Sequence, residues 1–234
     1  MKIAKLILNF NTPELTHNLA MSVPGAIVID NGSTIPIPVA KVPYSVIRFE
    51  DNLGFTRNWN RAIRYIMDQW PGKFDAFWLM NSDIVIDQDS IARIESLTES
   101  GNYPMLSAGF NCWIEQCKNH HLQGVREVKC IELTAPVIRS SVFETIGFFD
   151  ERFILGYGVD LDFCYRMQKE GMKMYVDDHS KFHHIGHQTI YSTGQVQLYK
   201  SRAMEELRSG MTEKYGKEWR DEILPSLGIN DISF

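Results

Sequence analysis

Phe77-Trp78-Leu79-Met80-Asn81-Ser82-Asp83 is an apolar run that stops on a short polar tripeptide ending in a carboxylate. A continuous apolar run of this length reads as a strand buried on both faces, the kind found in parallel sheets flanked by helices. The strand is predicted over Phe74–Met80, with Ile84-Val85-Ile86 following the tripeptide. In such sheets ligands sit just beyond the carboxyl ends of the strands, which delivers Asp83 to the place where an α/β protein keeps its chemistry. A carboxylate there can hold a hard divalent cation against a substrate phosphate. The same tripeptide also reads as a plain turn, because Asn, Ser and Asp all favour turns.

Working outward, Ile3–Leu8 and Ala26–Ile29 read as short buried strands. Between them Thr12 serves as a helix N-cap and Pro13 as a first helical residue. The second strand runs into Asp30-Asn31-Gly32-Ser33, another polar cluster at a carboxyl end. Pro36, Pro38 and Pro43 hold an extended connection before a strand at Ser45–Phe49. After Asp51-Asn52-Leu53-Gly54 comes a helix whose Trp59, Ala62, Ile63, Ile66 and Met67 follow helical spacing. This strand–helix alternation points to a doubly wound parallel sheet.

The second half is less regular. Met105–Phe110 and Glu127–Leu133 read as strands, and Ser141–Ile146 as a short helix closed by Gly147. A helix carrying Leu161, Cys164 and Tyr165 on one face ends at Gly171, and Met172–Val176 reads as a last strand before the His-rich segment His179–His187. Gln195–Arg208 and Glu213–Ile223 read as two terminal amphipathic helices.

A hydrophobic share of 44%, a charged share of 23% and 234 residues fit a globular domain with a substantial core. The net charge of -5 argues against a general nucleic-acid binder. No apolar run reaches the roughly 20 residues that span a bilayer, and Met1–Asn11 reads as a strand rather than a signal peptide. The expected location is cytoplasmic, with any lipid-linked partner met at the membrane surface. There the cysteines are expected as free thiols. Cys112, Cys117 and Cys130 with His120 or His121 leave structural zinc open as an alternative, at a looser spacing than zinc ligands usually show.

Together these segments resemble the family 2 glycosyltransferases of the GT-A fold, from about residue 3 to residue 218. Phe10-Asn11 stands at the family's aromatic-Asn after the first strand, and Asp30-Asn31-Gly32-Ser33 matches its Asp-Asn-Gly-Ser. Asn52-Leu53-Gly54-Phe55, with Asn60 on the next helix, resembles its Asn-x-Gly-Phe segment. Asn81-Ser82-Asp83 sits at its Asp-x-Asp motif, and Gly147-Phe148-Phe149-Asp150-Glu151 resembles Gly-Gly-Phe-Asp-Glu. Asp160-Leu161-Asp162 falls on its Glu-Asp-x-Asp motif, with Val159 in place of the Glu. His183 stands at its late histidine and Lys214-Tyr215-Gly216 at its basic-aromatic-Gly close.

The resemblance implies a single Rossmann-like, mostly parallel domain. About residues 1–100 form its nucleotide-sugar half, 101–190 its acceptor and catalytic half, and 191–234 its C-terminal helices. It implies Mn²⁺ or Mg²⁺ on the donor diphosphate, held by Asp83 and His183, with His184 as the alternative nitrogen ligand. The donor is expected at Phe10, Asn11, Asp30, Asn52, Gly54, Arg57, Asn60, Asn81 and Ser82. Asp30 would read a uracil edge, Gly54 would let the backbone approach the nucleotide, and Arg57 would meet the diphosphate. Asp160 is the expected general base, since an attacking hydroxyl must lose its proton, and Trp113 and Asp150 are expected on the acceptor side. One base opposite a leaving diphosphate implies inversion at the anomeric centre. The resemblance implies as acceptor a glycan, a lipid-linked sugar or another hydroxyl. Two alternatives stay open: a non-catalytic nucleotide-sugar-binding protein, and a nucleotidyltransferase of related fold. The latter would normally carry a basic glycine-rich loop where this chain has Asn9-Phe10-Asn11-Thr12-Pro13.

Overall fold

A computed structural model describes residues 1–37, 41–120, 124–192 and 194–230, with only the backbone of Ser192; Pro38 and His121 lie outside the described residues. In chain order the elements are β1 (Ile3–Asn9), α1 (Pro13–Ser22), β2 (Ile27–Asn31), β3 (Ser45–Phe49), α2 (Phe55–Gln69), β4 (Ala76–Asn81), β5 (Ile84–Ile86), α3 (Gln88–Ser100) and β6 (Met105–Phe110). There follow β7 (Val125–Val128), β8 (Val137–Arg139), α4 (Ser140–Ile146), α5 (Val159–Lys169), β9 (Met174–His184), α6 (Gln188–Ser192), α7 (Val196–Tyr215) and α8 (Trp219–Ser226).

One nine-stranded sheet runs in the order β3-β2-β1-β4-β8-β6-β9-β5, with β7 on β9. The first four of these strands are parallel, so β1, β2 and β4 end side by side. Phe77, Trp78, Leu79 and Met80 are each at most 1% exposed, which is why β4 reads as an unbroken apolar run. Beyond β4 the sheet is mixed: β8 is antiparallel to both neighbours, and β6 and β9 pair in parallel. The join is a backbone seam. The amide of Leu79 donates to the Pro136 carbonyl (2.9 Å) and that of Asn81 to the Thr134 carbonyl (2.9 Å). The segment 130–136 is thereby laid against the end of β4.

Several elements differ from expectation for physical reasons. The strand predicted over Glu127–Leu133 ends at Val128. From there backbone donors turn to side chains, Lys129 N to Gln116 Oε1 and Ile131 N to Cys164 Sγ. The last strand does not stop at Val176 but continues to His184. Its fully buried Asp177, which breaks the apolar pattern, is held by both Arg93 nitrogens (2.7 and 2.9 Å) and by Ser180. A bulge lies here, with Ala108 opposite Asp177 but Gly109 opposite Lys181. The two predicted terminal helices begin with one continuous helix, α7, followed by the short α8. Gly210 sits within α7 because the Phe153 ring lies against it: a Cβ there would stand 2.7 Å from Phe153 Cε1. Among the described residues no helix is long and apolar enough to cross a membrane.

The end of α7 is fastened by charge. Asp162, buried completely, accepts from Arg166 Nε (2.8 Å), Lys214 Nζ (2.5 Å) and Tyr215 Oη (2.6 Å). Lys214 also reaches Asp150 (2.7 Å). Removing the shared acceptor leaves buried donors uncompensated. Asp162→Ala should therefore cost about 3–5 kcal/mol in urea denaturation, whereas Arg152→Ala, whose partner Asp150 keeps Lys214 and whose other partner Glu213 is exposed, should stay within about 1 kcal/mol.

Candidate active site

A cavity of about 420 Å³ opens over the carboxyl ends of β1, β2 and β4. Leu8, Phe10, Asn31, Asn52, Gly54, Asn81, Ser82 and Asp83 line it from the parallel half. Glu132, Leu133 and Thr134, laid against the end of β4, and then Leu155 through Leu161 continue the lining. His184, His187, Thr189 and Ile190 come from the end of β9 and the segment after it, with Trp113, Tyr199 and Leu207 completing the lining.

At its centre Asp83 meets a histidine. Asp83 Oδ1 lies 3.2 Å from His184 Nε2, and Oδ2 accepts the Gln188 amide at 3.3 Å. Burial works to raise the Asp83 pKa. The hydrogen bond and charge of His184 outweigh it, with help from the Gln188 amide, and hold the carboxyl below its ordinary range. Burial likewise opposes charging of His184, and Asp83 and Glu132 overcome it to push the imidazole up. His183, the expected ligand, is not beside Asp83. It pairs with Val85 while His184 pairs with Ile84, and successive strand residues face opposite sides. Val85 is 59% exposed, so His183 stands on the outer face. Asn81 Oδ1 is buried at the cavity without a hydrogen-bond partner.

Asp160, in the first turn of α5, also lines the cavity, and its Oδ1 accepts the Leu161 amide at 2.9 Å. Burial first, then the charge of Glu132, push its pKa up to about 7. Glu132 is a site residue absent from the sequence-predicted set. Its Oε1 accepts from Thr134 Oγ1 (2.6 Å), its Oε2 from the Cys112 thiol (2.9 Å), and His184 Nδ1 lies 3.9 Å from Oε1. The available signal is a charge inside the apolar run Cys130-Ile131-Glu132-Leu133. Tyr157, His187 and Tyr199 are absent from that set too.

The cavity thus gathers Phe10, Asn52, Gly54, Asn81, Ser82, Asp83, Trp113 and Asp160 from the sequence-predicted residues. The others stand outside its lining, each engaged elsewhere. Asn11 Oδ1 accepts the Thr34 and Ile35 amides and fixes a turn. Asp30, 1% exposed, is shared between Asn9 Nδ2 (2.9 Å) and Arg48 NH1 (2.5 Å). Asn60 clamps the 149–151 loop through the Phe149 amide and carbonyl and Glu151. Arg57 pairs with Glu151, and Asp150 with Lys214 and Arg152. Gly54 lines the cavity, but its φ of 83° serves a contact within the chain: a Cβ there would meet Ile154 Cγ2 at 2.5 Å.

All four cysteines are buried and free. Burial and the neighbouring Cys117 push the Cys112 thiol well above its ordinary range, and the thiol donates to Glu132 Oε2. His120 Nε2 contacts the Glu115 carbonyl. Among the described residues no group of three or more His, Cys, Asp or Glu side chains is placed to hold a metal ion.

The parallel four-strand half, the crossing to a mixed half beside it and the cavity at the strand ends define a GT-A fold. The chain is similar to the low-salt glycan biosynthesis hexosyltransferase Agl10 of Haloferax volcanii, at 24% identity over 72% of this chain and 62% of that relative. It therefore spans somewhat less than two thirds of that relative's length. The structure of GalNAc-T7 with UDP, GalNAc and Mn²⁺ superposes with a TM-score of 0.61 at 11% identity, covering 79% of this chain and 44% of that one. S. aureus TarS 1-349 superposes with a TM-score of 0.58 at 12% identity, over 96% of this chain and 74% of that one. No protein-family model matches the chain.

The buried Asp160 makes a stability prediction. Its pKa is about 7 in the fold against an ordinary 3.8, so the folded state holds a proton that the unfolded chain has released. Its favourable contribution is fully present below the unfolded value and is lost as pH rises through about 7. Asp160→Asn, which carries no charge, should therefore be more stable than the parent at pH 8, by about 1–3 kcal/mol, and should match it near pH 4. Urea denaturation at the two pH values measures the difference.

Proposed function

We propose that this chain is an inverting, metal-dependent glycosyltransferase that moves a sugar from a nucleoside diphosphate, a uridine diphosphate in the first instance, to an acceptor hydroxyl. The observation that carries the reading is the presence of two unlike groups in the lining of one cavity: the Asp83–His184 pair at the strand ends and the proton-hungry carboxyl of Asp160 in the first turn of α5. The resemblance to Agl10 and the GT-A fold support glycosyl transfer. The presence of UDP and Mn²⁺ in the GalNAc-T7 structure supports the donor and the metal class.

The pair suits a divalent cation. A carboxylate oxygen and an imidazole nitrogen 3.2 Å apart are a mixed donor set acceptable to Mn²⁺ or Mg²⁺. Two protein ligands are the number expected where phosphate oxygens and water supply the rest. The unpartnered Asn81 Oδ1 beside them is a further polar atom without a protein partner. When bound, the cation would neutralise charge growing on the departing diphosphate.

The chain's own residues do the remaining work. Phe10, Asn31 and Asn52 wall the end of the cavity where the nucleoside would lie. Asp30 acts there indirectly, holding the half-exposed Arg48. Asp160, deprotonated, accepts the proton of the acceptor hydroxyl as that oxygen attacks the anomeric carbon from the side opposite the diphosphate. The result is inversion. An apolar and aromatic wall of Trp113, Tyr157, Ile190 and Tyr199 suits a sugar ring presented as a glycan or lipid-linked acceptor. The location that fits is the cytoplasm or the cytoplasmic face of a membrane.

Calorimetry with UDP and Mn²⁺ tests the metal pair: Asp83→Ala and His184→Ala should each weaken the metal-dependent part of binding, and His183→Ala should leave it intact. Parent-like binding by both of the first two would remove the pair. The base is tested by transfer rates. Asp160→Asn should lose about 10²–10⁴ in rate while keeping donor affinity, and the parent product should carry the anomeric configuration opposite to the donor. The parent kcat/KM should fall as pH drops below about 7, because protonated Asp160 cannot take the hydroxyl proton. A retained configuration, or an Asn variant near the parent rate, would overturn the assignment.

A further inference from the structure

His184 stands between two carboxylates on opposite ring nitrogens. Asp83 faces Nε2 at 3.2 Å, and Glu132 faces Nδ1 at 3.9 Å. The backbone that carries the ring is fixed independently: Asn111 accepts the His184 amide (2.7 Å) and donates to its carbonyl (2.9 Å). An imidazole nitrogen can offer its lone pair to a cation only if the ring's remaining proton sits on the other nitrogen, and the group facing that nitrogen sets where the proton stays.

We propose that Glu132 is a positioning residue for the metal site: it holds the His184 proton on Nδ1 and so presents the Nε2 lone pair to a divalent cation shared with Asp83. This rests on the reading of Asp83 and His184 as the metal pair. At 3.9 Å the contact is one of charge rather than a formed hydrogen bond. Asp83 competes for the Nε2 proton until a cation takes its place. Only the Glu132 side keeps its partner once the cation is bound. Glu132 cannot ligate the same ion, because Nδ1 and Nε2 point away from each other across the ring. Its own carboxylate is pinned by donors on both oxygens, Thr134 Oγ1 on Oε1 and the Cys112 thiol on Oε2. The buried thiol thus orients the carboxylate that in turn orients the histidine. A carboxylate behind a ligating histidine also raises the basicity of the ligand nitrogen.

The test is Mn²⁺ affinity of the intact chain in the presence of UDP, read by electron paramagnetic resonance of free Mn²⁺. The variants are Glu132→Ala, Glu132→Asp, His184→Ala and the Glu132→Ala/His184→Ala double variant. Glu132→Ala should weaken Mn²⁺ binding by about 10–100-fold, and Glu132→Asp should restore most of the loss. In the His184→Ala background Glu132→Ala should cost nothing further, because its effect passes through the ring. An unchanged affinity for Glu132→Ala would overturn the proposal. So would an equal loss in both backgrounds, which would mean that Glu132 acts on the cation directly. If His184→Ala itself binds Mn²⁺ like the parent, the metal pair is wrong, and this role falls with it by a distinguishable route. Circular dichroism confirms folding, and should Glu132→Ala unfold, Glu132→Gln keeps the shape without the charge and carries the same expectations.

Discussion

The site depends on a short seam of backbone hydrogen bonds. Where Leu79 and Asn81 donate to the carbonyls of Pro136 and Thr134, a parallel sheet that could have stopped at β4 is continued by chain running the other way. That reversal matters chemically. A parallel neighbour would have brought one more carboxyl end to the same rim. The antiparallel segment instead brings residues that precede its strand, Glu132 and Thr134, against the tripeptide that follows β4. Acidic groups from the two halves of the chain therefore meet within one cavity, although they are about 50 residues apart in sequence.

The cavity collects groups held away from their most comfortable states. Asp160 is buried with a second carboxylate in the same lining and keeps its proton far into the neutral range. Asn81 keeps a buried oxygen without a partner, and His184 is drawn towards its charged form by acids on both sides. Elsewhere buried acids are matched by bases: Asp162 by Arg166 and Lys214, Asp177 by Arg93, Asp178 by Arg126. The contrast separates acids that hold the fold from acids left available for chemistry. It also explains why several motif residues fall outside the lining. Asn11 and Asp30 near strand ends and Asn60 on α2 are polar, yet their hydrogen-bonding capacity is turned inward to shape the loops that make the rim.

The parallel half was legible because burial on both faces leaves a continuous apolar signal, as in β4, and because Pro13 and Gly54 punctuate it, although Thr12 makes no side-chain cap to α1. Helix α3 went unread although Asp87 caps it and Ile91 and Ile94 mark its buried face. The segment after Val128 misled because Cys130 and Ile131 are fully buried without belonging to a strand. Burial alone cannot distinguish a strand from a loop whose amides are satisfied by side chains. The continuation of β9 was hidden by Asp177 and Asp178, which look like a turn until Arg93 and Arg126 are seen to neutralise them. These pairings join residues 84 and 52 positions apart, and no local pattern encodes them. In the site, Asp83 and Asp160 were visible as carboxylates at element ends. Glu132 was not, since its placement follows from the seam.

The bulge in β9 decides which histidine faces the cavity. Between Ala108 and Gly109 the partner strand advances by one residue, while β9 advances from Asp177 to Lys181. The excess is odd, so every side chain beyond it sits on the face opposite to the one that plain alternation from Asp177 would assign. Plain alternation turns His183 inward; the bulge turns His184 inward instead. With two histidines adjacent, the fold carries its own spare: a single-residue change in the length of segment 178–180 would exchange the inner and outer rings and still leave an imidazole opposite Asp83. Segment 178–180, inside β9, is thus what sets which of the two rings faces Asp83.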